Sequence, residues 1–324
     1  KEITSVFIAV CFYFFLRFFS LGPSHFFAVN TGLIENQLLF TDTSSRILTS
    51  FKVLWMYFEK MFWPVNLCSD YSYNQIPIIH NFLNFEFIFG FILFLSSIFL
   101  IFFFLKKRPI ISFGLSIFVF SFLPVSNILF PIGTIAGERL FFFPSFGFAL
   151  IISFVIYKIF TLLNNRALKI TLAIFLIAIL SLYGLASFRQ QSVWLDEESL
   201  FFSAAKCAPN SVLSRSNAGA IYLLQGNLNK AEEELKYAMS IKPIYSKGIN
   251  NLGLLYFKKG DLAKARELYL EALQQEFPYE GTYENLVLLY LKEGNINLAK
   301  HWLTFLYPNN EELVDNLIKS YIEK

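Results

Sequence analysis

Residues 85 to 105, FEFIFGFILFLSSIFLIFFFL, form an apolar run in which Glu86 is the single charged side chain. A helix needs about 20 apolar residues to cross the hydrocarbon core of a bilayer. The whole chain suits that solvent, because 55% of its 324 residues are hydrophobic and 41 are phenylalanine. Residues 206 to 324, by contrast, are rich in lysine, glutamate and asparagine. The sequence therefore predicts a membrane part followed by a part in water.

Several further stretches are long and apolar enough to span a bilayer. The predicted spans are residues 3–19, 85–105, 110–130, 140–160 and 168–188, within a membrane domain of residues 1–190. The connectors KKRP, 106 to 109, and YKIFTLLNNRALK, 157 to 169, are basic, and basic loops are retained on the cytoplasmic side. This orientation places residues 20–84, residues 124–139 and everything after residue 188 on the outer face.

Residues 46–63, RILTSFKVLWMYFEKMFW, are long enough to span but carry four charged side chains. Charges at mid-bilayer cost several kcal/mol in sum, roughly 2.5 to 3.5 kcal/mol each. An interfacial helix in the outer loop 20–84 fits better, because tryptophan and tyrosine suit that depth and Pro64 ends the helix. If the helix spans instead, the orientation of the first segment is reversed.

The small net charge of +3 and its scattered basic residues do not indicate a nucleic-acid surface. Cys11, Cys68 and Cys207 show no metal-ligand spacing, so no metal site is predicted from the cysteines. Cys68 and Cys207 can pair if they share an oxidising compartment, but the sequence does not favour this pairing. No cleavable signal peptide is visible, and a start at Lys1 rather than Met suggests the rear part of a longer protein.

A 34-residue period follows the last predicted span. The recurring positions are Gly219 and Gly253; Tyr222, Tyr256 and Tyr290; Gly226, Gly260 and Gly294; Ala231, Ala265 and Ala299; and Ala238 and Ala272. This period is typical of tetratricopeptide repeats, which are paired antiparallel helices. The predicted units are a linker or first helix at 191–211, repeats at 212–245, 246–279 and 280–310, and a capping helix at 311–324. The glycines and alanines are expected where helices cross closely, with the tyrosines filling the gaps.

Asn217, Asn251 and Asn285 recur at the same period, on the inner face of the first helices. Side-chain amides in a row can donate to and accept from an extended peptide backbone, so these residues are candidate peptide-binding groups. The alternative is that asparagine is simply a common residue at this repeat position.

Three segments, in order along the chain, carry a more specific resemblance. They are RILTSFKVLWMYFEKMFWPVNLCSDYSYNQIP, FLPVSNILFPIGTIAGERLFFFPSFGFAL and VWLDEESLFFSAAKCAPNS, followed by the repeats. Together they resemble the transmembrane-and-tetratricopeptide (TMTC) family of protein O-mannosyltransferases and bacterial relatives. The resemblance implies an all-α fold: a partial polytopic helix bundle of the GT-C glycosyltransferase type, followed by an α-solenoid. It also implies transfer of a sugar from a polyprenyl-phosphate carrier to an acceptor hydroxyl on the outer face. The catalytic acid of such enzymes lies in a first outer loop, expected upstream of Lys1, and a divalent metal can take part.

Glu138 and Arg139, in ERLFFFPS, are the main candidate donor-binding residues. Guanidinium binds phosphate oxygens with two parallel hydrogen bonds and stays charged in a poor solvent. Neighbours on a helix point about 100° apart, so Glu138 cannot simply pair with Arg139 and each needs its own contact. Glu138 is a candidate to orient Arg139, to bind sugar hydroxyls or to hold a metal. The following LFFFPSFGF supplies an aromatic wall for the carrier, and Gly147 permits close helix approach. The alternative for both charges is an interfacial position at which they extend to water.

Asp70 and Tyr71, with Tyr73, lie in the same predicted outer loop and are candidates for closing over the donor sugar, or for a simple turn. Arg17, near the end of the first span, either joins Arg139 on phosphate or extends to water. His25 and His80 show no ligand spacing.

Two further functions compete with a glycosyltransferase that passes sugar to an acceptor protein bound by the repeats. One is a membrane-anchored scaffold that binds protein partners without catalysis, and the other is a polymerase or ligase of surface polysaccharide. The predicted partners are the bilayer, a lipid-linked sugar and a polypeptide. The predicted location is a bacterial cytoplasmic membrane with the repeats in the periplasm, or an endoplasmic-reticulum membrane in a eukaryote.

Overall fold

The computed structural model describes residues 12, 15, 16, 18 to 20 and 32 to 322. All regular secondary structure in this part of the chain is helical, which confirms the predicted all-α class. Most of the predicted span 3–19, with Cys11, Arg17 and His25, lies outside the described residues.

Within residues 32 to 322, five helices make up the predicted membrane part. They are α1 (Thr43–Phe62), α2 (Phe85–Phe104), α3 (Pro109–Phe122), α4 (Phe142–Leu162) and α5 (Arg166–Ser192). A short 3-10 turn, Glu138–Phe141, leads directly into α4. Among the described residues, three helical segments are long and apolar enough to cross a membrane: Phe85–Phe104, Glu138–Leu162 and Arg166–Ser192.

The predicted span 110–130 is helical as far as the 3-10 turn Leu123–Val125. Beyond that turn, Asn127 adopts a φ of 60° and its side-chain amide donates to the carbonyls of Thr134 and Ile135. Asparagine tolerates this left-handed conformation better than most residues. The chain therefore turns back at Asn127, and the apolar helix Pro109–Val125 is shorter than the other three.

The membrane helices pack through glycines. A Cβ on Gly147 would lie 2.3 Å from the carbonyl oxygen of Gly114, so α3 and α4 touch backbone to backbone, as predicted for Gly147. A Cβ on Gly90 would lie 1.9 Å from the carbonyl oxygen of Phe51, so α1 and α2 cross equally closely. The predicted interfacial helix 46–63 thus lies in α1 except for its last residue, Trp63, which caps the helix, and α1 packs across α2. The depth of α1 in a bilayer stays a prediction.

The remaining helices build the array of repeats. They are α6 (Glu197–Cys207), α7 (Val212–Leu224), α8 (Leu228–Ile241), α9 (Ser246–Lys259), α10 (Leu262–Leu273), α11 (Gly281–Lys292), α12 (Ile296–Leu306) and α13 (Glu311–Ile322). The helix pairs α7 with α8, α9 with α10 and α11 with α12 fall within the three predicted repeats, and α13 follows them in the segment predicted as a cap. The repeat boundaries and the capping role stay predictions.

The recurring small residues have two different roles. Gly219 and Gly253 allow close packing, since a Cβ would lie 2.6 Å from Leu235 and 2.5 Å from Tyr269, respectively. Gly226, Gly260 and Gly294 have open space around them but adopt positive φ angles of 73°, 87° and 76°. For these three the predicted close crossing is wrong, because they are needed for the left-handed turn that ends the first helix of each repeat. The ring that fills the gap at Gly253 is Tyr269, outside the recurring tyrosine set.

Candidate functional site

The segment before Glu138 is fixed by a buried pair of asparagines. Asn36 Nδ2 donates to Asn127 Oδ1 at 2.9 Å and to the Ile132 carbonyl at 2.7 Å. Asn127 Oδ1 also accepts from the Ile132 amide at 2.8 Å. Both asparagines are almost completely buried, where an unpaired amide would be costly, so this network holds residues 126 to 137 in one conformation.

Tyr57 of α1 holds the residue next to Glu138. Its buried hydroxyl accepts from the Gly137 amide at 2.7 Å and donates to the Gly137 carbonyl at 3.0 Å. Its ring stacks on Phe141 with the centroids 4.6 Å apart. Both sides of the 3-10 turn that carries Glu138 and Arg139 are therefore anchored to α1.

The Glu138 carboxylate is bound through one of its two oxygens. Oε1 accepts from the Tyr71 hydroxyl at 2.7 Å and the Cys68 amide at 2.8 Å, and Lys60 Nζ lies 3.7 Å away. Burial, together with the nearby Glu138 charge, raises the pKa of Tyr71 well above its ordinary value, so the phenol stays a donor. Oε2 has no hydrogen bond from the described residues.

Arg139 is exposed, and its guanidinium has no hydrogen bond or ion pair within the described part of the chain. It lines a cavity of about 260 Å³ together with Glu138, Lys60 and the rings of Phe141 and Phe142. One wall is thus aromatic, as predicted for LFFFPSFGF. The site combines an oriented carboxylate with a cation that is free to take an anion from outside the described residues.

Asp70 lies where the loop that follows α1, residues 63–84, meets the start of α7; we call this contact the joint. Its Oδ2 accepts from the hydroxyls of Ser72 at 2.8 Å, Ser211 at 2.6 Å and Ser214 at 2.6 Å, and its Oδ1 from the Ser72 amide at 3.1 Å. Ser211 is the N-cap of α7, so this carboxylate ties the loop to the first helix of the array. The predicted role of Asp70 on the donor sugar stays a prediction.

Cys68 and Cys207 form a disulfide, with their Cα atoms 5.6 Å apart. The expectation that they stay unpaired is wrong, because residues 139 positions apart are brought together where the loop that follows α1 meets the end of α6. The bond lies beside Glu138, since the Cys68 amide is one of the donors to Oε1. Within the described residues, no group of three or more His, Cys, Asp or Glu side chains is placed to hold a metal ion.

The predicted asparagine ladder is engaged with its own surroundings. Asn285 Nδ2 donates to Asn250 Oδ1 at 2.8 Å, Asn250 Nδ2 to Asn251 Oδ1 at 3.4 Å, and Lys247 Nζ to Asn217 Oδ1 at 3.2 Å. Asn217 and Asn251 are buried, and burial lowers the pKa of Lys247. A bound peptide would have to compete with these contacts, and the peptide-binding role of the ladder stays a prediction.

Sequence reasoning missed Tyr57, Lys60 and Cys68 as neighbours of Glu138. These contacts join positions 70 or more residues apart, and no local pattern marks them. His80, given no role from the sequence, lies 2.7 Å from the Ser45 hydroxyl, and Arg17 lies outside the described residues.

Comparison with known proteins gives a tetratricopeptide-repeat match at residues 246–276. The protein O-mannosyl-transferase Tmtc2 of Drosophila melanogaster is 35% identical over 130 residues, which is 40% of this chain and 13% of the fly protein. Human TMTC1 is 29% identical over 193 residues, 58% of this chain and 22% of the human protein. The Caenorhabditis elegans protein O-mannosyl-transferase F38B6.6 is 27% identical over 242 residues, 74% of this chain and 34% of that protein.

The matched regions thus span from 13% to 34% of the length of these relatives. The apolar helices, the repeat and the relatives agree with one another in placing the chain among membrane proteins. The predicted resemblance to the TMTC protein O-mannosyltransferases is confirmed.

Proposed function

We propose that this chain forms part of a membrane glycosyltransferase that passes a sugar from a polyprenyl-phosphate donor to an acceptor protein on the outer face of the membrane. The observation that carries the proposal is the Arg139 guanidinium, which has no partner in residues 32 to 322, beside the oriented Glu138 carboxylate at the start of a candidate span. The names of the similar proteins support the same reaction class.

Arg139 is suited to the phosphate of the donor. A guanidinium can give two parallel charge-assisted hydrogen bonds to phosphate oxygens, which stabilises the negative charge that builds up as the sugar leaves. In the transfer, the bond between the sugar carbon and the phosphate oxygen breaks with its electron pair going to the phosphate. The acceptor hydroxyl oxygen forms the new bond to the sugar carbon, and its proton passes to a carboxylate that acts as general base.

Glu138 is suited to the sugar. Tyr71, the Cys68 amide and Lys60 hold Oε1, which leaves Oε2 to accept from a sugar hydroxyl. Because three groups fix the carboxylate before a ligand arrives, little side-chain freedom is lost on binding. The aromatic wall at Phe141 and Phe142 supplies an apolar surface for the isoprenoid.

The disulfide supports an outer-face location for the site and the repeats. Disulfides persist in oxidising compartments and are rare in the cytosol. The Cys68–Cys207 bond and the Asp70 contacts to Ser211 and Ser214 hold the loop and the array together, so both face the same compartment. The array is then close enough to Glu138 to present an acceptor polypeptide to it.

The test is sugar transfer from polyprenyl-phosphate mannose, measured with the protein as its gene encodes it. Replacing Arg139 by Gln removes two charge-assisted bonds of about 1.5 kcal/mol each and is expected to slow transfer about 100-fold. Arg139→Lys should recover part of the rate, because the charge remains while the paired geometry is lost. Arg108→Gln, which removes a charge from the opposite predicted face, is the matched control and should transfer at the normal rate.

Unchanged transfer by Arg139→Gln contradicts the site assignment. A protein that transfers no sugar from this donor or from polyprenyl-phosphate glucose, yet still captures a polypeptide through its repeats, supports the scaffold alternative.

A further inference from the structure

A second cavity lies between the membrane helices and the repeats, with a volume of about 1240 Å³. We call it the α1–α5 groove; Phe62 and Trp63 line it at the end of α1, Ile179 and Leu182 on α5, and Lys206 on α6. The Tyr183 hydroxyl lies 3.2 Å from the carbonyl oxygen of Met61 and 3.0 Å from that of Phe62, so it joins α5 to α1 at this groove.

The charged side chains that line the groove are both basic. Arg189 and Lys206 both line it and are exposed, and neither side chain has a hydrogen bond or ion pair within the described residues. No aspartate or glutamate is among the lining residues. Elsewhere on the membrane part, Lys52 and Lys60 lie against the carboxylates of Glu86 and Glu138. Two unpaired cations above an apolar wall attract an anion that carries an apolar tail.

The position of the groove along α5 matches the headgroup layer. Arg166 and Arg189 lie near opposite ends of this helix, about 35 Å apart at 1.5 Å per residue. That separation slightly exceeds the hydrocarbon thickness of about 30 Å, so the two arginines reach opposite interfaces. Leu182 and Ile179 lie about 10 to 15 Å from Arg189 along the helix, at acyl-chain depth.

We propose that the α1–α5 groove binds an anionic glycerophospholipid, with its phosphate on Arg189 and Lys206 and an acyl chain along Ile179 and Leu182. The lipid is a structural ligand rather than the sugar donor, because neither Glu138 nor Arg139 lines this groove. Its effect is to hold α5, which has no buried residue of its own, against α1. The proposal stands independently of the glycosyltransferase function.

The test is native mass spectrometry of the chain in detergent, titrated with dioleoyl-phosphatidylglycerol in competition with dioleoyl-phosphatidylcholine. The wild type is expected to retain phosphatidylglycerol preferentially. R189Q/K206Q should bind it about 30-fold more weakly, since each basic residue near a lipid surface contributes a factor of about five. K258Q/K319Q removes the same charge from exposed solenoid positions and should leave the affinity unchanged.

R189K/K206R keeps both charges and should bind phosphatidylglycerol like the wild type. This result would show that R189Q/K206Q binds weakly because it has lost the charges and not because it is misfolded. Equal affinity of R189Q/K206Q and K258Q/K319Q for phosphatidylglycerol overturns the proposal, as does equal wild-type retention of the two phospholipids. Displacement of phosphatidylglycerol by a lower concentration of undecaprenyl phosphate also overturns it, because the groove would then belong to the donor.

Discussion

Replacing Asp70 tests the joint between the loop that follows α1 and the repeats. In Asp70→Asn the charge is lost and one of the two side-chain oxygens becomes a nitrogen that cannot accept hydrogen bonds. The hydroxyls of Ser211 and Ser214, each 2.6 Å from Oδ2, then lose a charged acceptor. Hydrogen bonds to charged groups contribute about 1.5 kcal/mol or more each, so the joint should be weakened by about 3 kcal/mol.

Hydrogen exchange measures this weakening at individual backbone amides. The Val212 amide donates to the Tyr73 carbonyl at 2.6 Å, and the Asn74 amide donates to the Asn210 carbonyl at 2.9 Å; both bonds cross the joint. A loss of about 3 kcal/mol in the free energy of local opening speeds exchange at these amides about 100-fold. Exchange should be measured with the Cys68–Cys207 disulfide intact, so that the loop and the array stay tethered.

Asp261→Asn is the matched control. Asp261 is the N-cap of α10 and accepts from the Lys264 amide inside the array, far along the chain from the joint. Its replacement should change exchange near Lys264 and leave Val212 and Asn74 unaffected. If Asp70→Asn leaves both amides at wild-type rates, Asp70 does not hold the repeats to the loop.

Three more outcomes are expected. Tyr71→Phe removes one hydrogen bond to the Glu138 carboxylate and should slow sugar transfer about tenfold, while the Arg139 guanidinium still binds the polyprenyl phosphate. Unchanged transfer would refute the role of Tyr71 in orienting Glu138. Gly147→Ala should lower the free energy of unfolding of the detergent-solubilised chain by roughly 1 to 3 kcal/mol, and with it the melting temperature, because the added Cβ meets backbone atoms of α3. Gly184→Ala is the control and should leave the melting temperature unchanged, because Gly184 has open space around it. Equal melting temperatures for the two variants would contradict the close crossing of α3 and α4. Cys68 and Cys207 should resist alkylation until a reductant is added, and labelling without reductant would disprove the bond.

The sequence predicts the parts of this fold that depend on local pattern. The long apolar runs appear as helices, and the 34-residue period appears as paired helices, because burial and periodicity act within short stretches. The period alone does not show why glycine is needed at each recurring position. A side chain at Gly253 would clash with the Tyr269 ring, whereas Gly260 is needed because its backbone adopts a positive φ angle. That distinction depends on where each glycine stands relative to the helix end.

The surroundings of the candidate site cannot be predicted from local sequence patterns. ERLFFFPS draws attention to Glu138 and Arg139, but the groups that orient them come from distant parts of the chain: Tyr57 from α1 and Tyr71 from the loop that follows it. Asp70 illustrates the same difficulty. A single aspartate next to aromatic residues suggests sugar binding, and its serine partners at the start of α7 can be found only in the folded chain.

The most direct test of the account is photo-crosslinking of a diazirine-bearing polyprenyl phosphate to the membrane-embedded protein, with the labelled peptides identified by mass spectrometry. The account predicts labelling at Phe141 to Ser145, lost in Arg139→Gln and kept in Arg108→Gln. Labelling that maps elsewhere, or that persists at these residues without the Arg139 guanidinium, would contradict the claim that this arginine binds the phosphate of a lipid-linked sugar.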